Sequence, residues 1–481
     1  MLLSLYALPG VGFAQDALPD RPLDDGLVRR PEVHPTQPEV GAPIAASDAE
    51  APPPPVKRTL TEPDLRRDPR LASLVLGELL RRRDWDAIER ILRFYPQIEG
   101  HDPLMVFYMQ GALDRQRGRP AQAILAYREM VARAPELHNV EFDLAAMLYE
   151  DKQYREAQAI LDRLRRQDDL SAGLRGAVEH YLARVESQQR WRGGMKLGYT
   201  YNDNVNNASD GRILYLWGLP FRKREEDMPQ AANGTAYDAQ LRRDINLSGH
   251  HFLTFVTGLN GTHYEESPRW SESSASFRVG YRYQRARDWL AVQPRAGQQW
   301  LDRKPYRRQG GASVEYGRWL TPSWQIAASY AWMHKDYDSA NLRLYEGDLH
   351  VGSATLVHAL SPKTVLYGNL DLQRDVLKRP DESSRRYGLG LGLIREWNAA
   401  VSLRLDARYG QREFDDRNLW DLTKVRKDRE FQAEAEVAVP RLRLGGVTPK
   451  LAYQYFRVDS NIQSLYSRTG QQLSLLLEKA F

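Results

Sequence analysis

The sequence predicts an α + membrane β protein: N-terminal tetratricopeptide-type helical repeats followed by a 14-stranded antiparallel transmembrane β-barrel. Three observations carry this. Alternation with a period of two runs from Gly194 to Phe481, the connections between those strands alternate short and long, and a 34-residue helical repeat precedes them.

At residues 400–409, Val401, Leu403, Leu405, Ala407 and Tyr409 fall on one face, and Ser402, Arg404, Asp406 and Arg408 on the other. Phe277, Val279, Tyr281 and Tyr283 oppose Arg278, Arg282 and Gln284 in the same way, as do Phe431, Ala433, Ala435, Val437 and Val439 against Gln432, Glu434 and Glu436. A period of two sends those sets to opposite sides of a sheet. One apolar and one charged face, sustained over so many strands, suits lipid on one side and water on the other.

Composition hides this. Mean hydropathy is −0.61 and 27% of residues are charged, yet only every second residue of a barrel strand meets lipid. A net charge of +5, dispersed along the chain, gives no nucleic-acid footprint. The absence of cysteine excludes disulfides and thiolate metal sites.

Taken in order, residues 1–14 read as a signal peptide or its remnant, ending in Gly12-Phe13-Ala14. Residues 15–58 are rich in Pro, Ala and acidic residues and read as a disordered linker, unable to bury a core. Residues 59–190 carry the helical period. Gly77, Gly111 and Ala145 align at 34-residue spacing, as do Asp84, Gly118 and Lys152, and Arg93, Tyr127 and Leu161. Within this pattern Gly77, Gly111, Ala112, Ala123, Ala145 and Ala157 are the small residues expected to let paired helices approach, with Tyr127 filling the gap between them. About three hairpins, closed by a helix near 171–190, would stack into a short solenoid with a concave face.

The barrel then occupies 191–481. Strands are expected near 194–205, 235–247, 250–263, 274–285, 288–300, 306–320, 323–336, 345–360, 363–375, 385–397, 400–414, 426–439, 447–459 and 470–481. Tight connections fall at Ser248-Gly249, Arg287, Thr321-Pro322, Ser361-Pro362 and Asn398-Ala399, with a modest one at 440–446; longer ones fall at 206–234, 264–273, 301–305, 337–344, 376–384, 415–425 and 460–469. Barrels of the outer membrane keep short turns on the periplasmic side, so an even strand count places both barrel ends, and the helical domain, in the periplasm. Trp289, Trp300, Trp319, Trp324, Trp397 and Trp420 lie near expected turns, where interfacial belts belong. Phe481 follows Leu473, Leu475 and Leu477 in alternation, a terminal aromatic of the kind read by the outer-membrane barrel assembly machinery.

No catalytic constellation emerges, and no catalytic, cofactor-binding or metal residues are expected. There is no Walker loop, G-x-S-x-G or H-E-x-x-H. His250-His251 are expected as solvated turn residues, and Asp406, Glu434 and Glu436 as lumen charges paired across strands. The amide-rich stretch YTYNDNVNNAS, Tyr199 to Ser209, suits a polar turn, a loop anchor or contact with an extended peptide.

Within that stretch, Asp203-Asn204-Val205-Asn206-Asn207-Ala208 resembles the D-N-[IV]-N-x-A motif of the surface lipoprotein assembly modulators, the Slam family. The end of the chain resembles that family's last two strands through Tyr453, Tyr455, Arg457, Ser460-Asn461-Ile462, Tyr466, Arg468 and the closing Leu-Glu-Lys-Ala-Phe to Phe481. Arg426, Asp428 and Arg429 resemble its charged patch. The resemblance covers roughly 60–481.

It implies a translocator that delivers clients, surface lipoproteins or secreted haem- or iron-binding β-rich proteins, from periplasm to cell surface. Implied partners are the client, periplasmic chaperones, the barrel assembly machinery and outer-membrane lipid, with no cofactor. The chain carries no nucleotide motif, so client folding outside or partners would supply the energy. The rival readings are a polysaccharide-export porin with periplasmic helical repeats, which would need a sugar-lined lumen, and a passive diffusion porin. The mixed signs at Arg404, Asp406 and Arg408 suit a peptide or a plugged pore at least as well.

Overall fold

The computed structural model describes residues 61–397 and 400–481. The expected signal segment 1–14, linker 15–58 and turn at Asn398-Ala399 lie outside the described residues.

Helices α1 (Glu62–Arg67), α2 (Pro69–Arg82), α3 (Trp85–Leu92), α4 (Pro103–Gln116), α5 (Pro120–Arg133), α6 (His138–Glu150), α7 (Tyr154–Arg165) and α8 (Ala172–Gln189) form the N-terminal region. Proline stands first in α2, α4 and α5, where its missing N–H costs nothing. Asp68, Asp84 and Asp102 accept bonds from the first-turn N–H groups of α2, α3 and α4. The pairs α2–α3, α4–α5 and α6–α7 are three hairpins, and α8 closes the stack. Left-handed residues turn the hairpins at Arg83, Gly118 and Lys152. The repeat alignment is therefore one residue off in the first hairpin, because Asp84 is taken as the N-cap of α3 and the turn falls on Arg83.

Barrel strands are β1 (Arg192–Asn202), β4 (Ala232–Ser248), β5 (His251–Tyr264), β6 (Glu272–Gln284), β7 (Asp288–Leu301), β8 (Lys304–Trp319) and β9 (Trp324–Tyr337). They continue as β10 (Gly347–Ser361), β11 (Thr364–Leu377), β12 (Ser384–Trp397), β13 (Val401–Asn418), β14 (Asp421–Ala438), β15 (Val447–Ser460) and β16 (Arg468–Ala480). Strands β2 (Ile213–Leu216) and β3 (Leu219–Arg222) make a separate hairpin inside the first long loop. The other fourteen close into one barrel, with β1 paired to both β4 and β16. Closure removes every sheet edge, the condition for strands to cross lipid. Among the described residues no helix is long and apolar enough to span a membrane.

The predicted faces hold. Met195, Leu197, Tyr199 and Tyr201 are exposed on β1, while Thr200 is buried. Tyr409 and Phe431 point out from β13 and β14, and Arg412 and Glu430 are buried inside. Two of the expected long connections are instead two-residue turns, Asp302-Arg303 and Leu419-Trp420. At the second, β13 and β14 pair beyond the apolar band, their outward faces switching to Gln411, Glu413 and Asp415, so ribbon replaces loop. The aromatic reading needs the same correction. Trp324 and Trp397 face outward, but Trp289 has the opposite parity and sits inside against the Arg282 guanidinium, 5.3 Å from its ring. Trp420 is at the ribbon tip, against Trp217 with ring centroids 5.5 Å apart.

Candidate functional site: the latched seam and the docked inner mouth

The amide-rich turn is built as a knot of backbone contacts at the outer end of the β1–β16 seam. Asn204 is 2% exposed. Its Nδ2 donates to the carbonyls of Ala208 at 3.0 Å and Thr469 at 2.8 Å, while its Oδ1 accepts from Ala208 N at 2.9 Å. Asn206 does the same for the returning arm of the loop, donating to Met228 O at 2.9 Å and accepting from Gln230 N at 3.0 Å. Asn207 takes the left-handed conformation, φ 50°, which asparagine tolerates better than most residues. Asp203 and Gln471 exchange bonds across the seam: Asp203 N donates to Gln471 O at 3.1 Å and Gln471 N to the Asp203 carboxylate at 2.7 Å. Val205 packs with Ala232, Tyr264 and Trp270. An amide side chain both donates and accepts, so it can hold two strands of irregular backbone at once.

The same loop then crosses β16. Ser209 Oγ donates to Ser464 O at 2.8 Å and Asp210 N to Ser467 O at 3.2 Å. Lys223 bonds Ser209 Oγ at 2.7 Å, and burial pulls its ammonium down to about 8 despite Asp210 and Asp227 nearby. Trp217 N donates to Trp420 O at 2.8 Å, tying the β2–β3 hairpin to the β13–β14 tip.

The C-terminal motif supplies the opposing half. Asn461 accepts from Lys427 N and donates to Val425 O, both at 2.8 Å, pinning the 461–467 loop to β14. Ser460 Oγ accepts from Ile462 N at 3.2 Å. The Arg426 guanidinium lies 3.6 Å from the Tyr466 ring centroid and 4.4 Å from that of Phe414, with Asp428 at 2.6 Å. A guanidinium between two aromatic faces beside a carboxylate is a desolvated cation–π clamp. Arg429 is not part of it, since its parity sends it outward. At the other end of the seam, Phe481 and Gly193 exchange backbone bonds at 2.8 and 3.0 Å.

Of the three carboxylates expected to pair across strands, Glu436 does, with Lys450 at 2.6 Å, whereas Asp406 pairs with Arg404 on its own strand at 3.0 Å and Glu434 accepts from the neutral Gln454 at 3.1 Å. Elsewhere in the lumen Lys335 binds Asp375, and Arg386 binds Glu430 at 2.7 Å.

Sequence reasoning missed the contact between the two domains. Phe252, on the lumen face of β5, is 1% exposed and belongs to the core of the helical domain, edge-on to Tyr154 at 5.8 Å. His250 is no solvated turn residue: its Nε2 lies 2.8 Å from the buried Asp151 carboxylate, which also accepts from Ala286 N at 3.4 Å. Arg155 N donates to Asn246 Oδ1 at 2.8 Å. The turn after α6 thus docks on the β4–β5 and β6–β7 turns at the inner mouth. A polar pair of consecutive histidines at a turn carries no sequence signal for such a partner.

Of the repeat residues, Ala123, Tyr127, Ala145 and Ala157 share one buried cluster. A Cβ on Gly111 would stand 2.4 Å from the Tyr127 ring, the close approach expected there. Gly77 has nothing within 4 Å of that position and Ala112 is only partly buried, so neither marks a tight helix crossing.

Compared with known proteins, residues 191–481 match the family model described as "Surface lipoprotein assembly modifier", and residues 58–161 match "Surface lipoprotein assembly modifier, N-terminal TPR repeats". The chain is similar to surface lipoprotein assembly modifier 1 of Haemophilus influenzae, 23% identical over 89% of this chain and 88% of that protein. It is also similar to the hemophilin secretion modulator of Acinetobacter baumannii, 25% identical over 83% of each. Among solved structures, the outer membrane channel DcaP of Acinetobacter baumannii overlays with a TM-score of 0.35 at 8% identity, covering 61% of this chain and 96% of that one.

Proposed function

The chain belongs to the surface lipoprotein assembly modifier family, and from that premise we propose that it is an outer-membrane translocator delivering client proteins from periplasm to cell surface. One observation carries the reading: the helical domain is docked by its own core onto the inner mouth of the barrel, through Tyr154 and Phe252. A client held on the concave face of that domain is thereby delivered to the barrel and not to bulk periplasm. Clients of the relatives' kind, a surface lipoprotein or a secreted haem-binding protein, are the class to test first. Periplasmic chaperones would hand the client over, and the barrel assembly machinery would place this barrel in the membrane. In this reading the motif residues Asp203, Asn204, Asn206, Asn207, Ala208, Asn461 and Arg426 latch the seam, and Phe481 closes its inner end.

The test is surface display. The chain is co-expressed with a β-rich lipoprotein or haem-binding gene from its own genomic neighbourhood, and intact cells are treated with protease. Client cleavage only when the chain is present, abolished by removal of residues 59–190, supports the reading. A client that stays periplasmic while the membrane gains conductance to sugars replaces it with the export porin.

A further inference from the structure

The inner rim carries one connection unlike the others. The β14–β15 loop, residues 439–446, reads VPRLRLGG, and Leu442 and Leu444 on it are 64% and 84% exposed. Leu444 is the most exposed large apolar side chain among the described residues. This is not slack chain. Leu442 N donates to Val439 O and Arg443 N to Pro440 O, each at 3.0 Å, and Leu444 and Val447 exchange bonds at 3.0 and 3.1 Å. Gly445 and Gly446, with φ 59° and 84°, supply the left-handed turn that bridge requires. The backbone is therefore satisfied within the loop, and it holds two leucines out with a cation beside each.

Its position selects the partner. The loop leaves the lipid-facing surface directly, after outward Val437 and before Leu451, which is exposed. It lies at the level of the outward Trp324 and Trp397 on other inner turns. It takes no part in the docking described above, which uses the β4–β5 and β6–β7 turns. The neighbouring outward charges at this rim, Lys479 on β16 and Arg395 on β12, are also cationic and exposed. Leucine beside arginine at a membrane surface partitions with its chain in the acyl boundary and the guanidinium at phosphate level, and basic residues there favour anionic headgroups.

We propose that this loop is a lipid anchor: Leu442 and Leu444 enter the inner, phospholipid leaflet, while Arg441 and Arg443 bind headgroup phosphates of anionic phospholipid. The anchor fixes the rim next to the inner end of the β1–β16 seam.

Because the chain has no cysteine, Leu444→Cys in the full protein gives a single site for an environment-sensitive fluorophore, read in nanodiscs. The expected result is blue-shifted emission, quenching by acyl-chain spin labels and protection from aqueous iodide, with a Leu419→Cys control at the outer tip open to iodide. Spin-labelled phosphatidylglycerol is expected to quench more than spin-labelled phosphatidylcholine, and that preference to be lost in R441A/R443A. Quenching by iodide but not by lipid labels overturns the anchor. Equal quenching by the two lipids with both arginines present overturns the headgroup assignment. Protection that appears only after client or barrel assembly machinery is added makes the loop a protein-docking surface instead.

Discussion

At the scale of single residues, two glycines at equivalent repeat positions have opposite expectations. Gly111 faces the Tyr127 ring, where a Cβ would stand at 2.4 Å, so Gly111→Ala overpacks the α4–α5 hairpin by about 1–3 kcal/mol. Gly77 has open space, so Gly77→Ala gains helix propensity, roughly 1 kcal/mol. Thermal unfolding followed at the helical signal should move down for the first and up for the second. Asp143 makes a pH prediction in the same domain. Burial pushes its carboxyl up to about 7, against Arg115 and with Glu150 adding to the rise. The folded state therefore holds a proton that the unfolded chain, with an ordinary carboxylate, has released. Stability from this group falls as pH rises from about 4 to about 7 and is level above, at most about 4 kcal/mol in all. Asp143→Asn should flatten that slope in pH-dependent melting and raise stability at pH 8; an unchanged slope would show that the carboxyl ionises freely. The 34-residue period could place Gly111 and Gly77 in register but could not separate them, because what differs is the neighbour across the hairpin.

At the scale of elements, alternation made the barrel legible, and the unread part is where strands stop alternating for lipid. β13 and β14 continue pairing outside the membrane with charged outward faces, so Arg417 and Val425, which are register partners, read as loop when they are ribbon. The same limit applies to the Asp203–Ala208 turn, whose residues were visible while their partners, Thr469, Met228 and Gln471, are 22 to 268 positions away. That turn joins the first long loop to the last two strands, and Asn204 is its centre. Asn204→Ala leaves the Ala208 N–H and the Thr469 and Ala208 carbonyls without their partner, at about 1–3 kcal/mol for each buried group left unsatisfied. The temperature at which the folded barrel loses its compact gel mobility should drop, and protease should cut within 203–231 before the barrel unfolds. A variant with unchanged melting and an uncut loop would remove the latch role.

At the scale of the whole molecule, the proposed translocation leaves two candidate paths for a client, and the contacts on them differ in kind. Along the lumen, Lys335–Asp375 and Arg386–Glu430 are buried pairs, and parting such a pair strands a charge at about 3–5 kcal/mol. Across the seam, β1 and β16 share nine register partners, Gly194 to Asn202, fewer than any other barrel pair. The inward contacts there are mostly between neutral groups: Thr200 Oγ1 to Ser474 Oγ at 2.8 Å and Asn202 to Gln472 at 3.5 Å, with Lys196 and Glu478 at 3.9 Å a charged pair among them. Opening the seam thus separates mostly neutral groups, once the outer latch has let go. Thr200 and Ser474 are direct partners, and antiparallel partners lie about 4.5–5.5 Å apart at Cα, within disulfide reach. In the cysteine-free chain, Thr200→Cys with Ser474→Cys should form one bond that staples the seam. Oxidised cells are expected to lose client display while the barrel stays folded, and reductant should restore it. Display undiminished by the staple would instead route the client through the lumen, and the ion pairs on β9, β11, β12 and β14 would then be the groups that have to move.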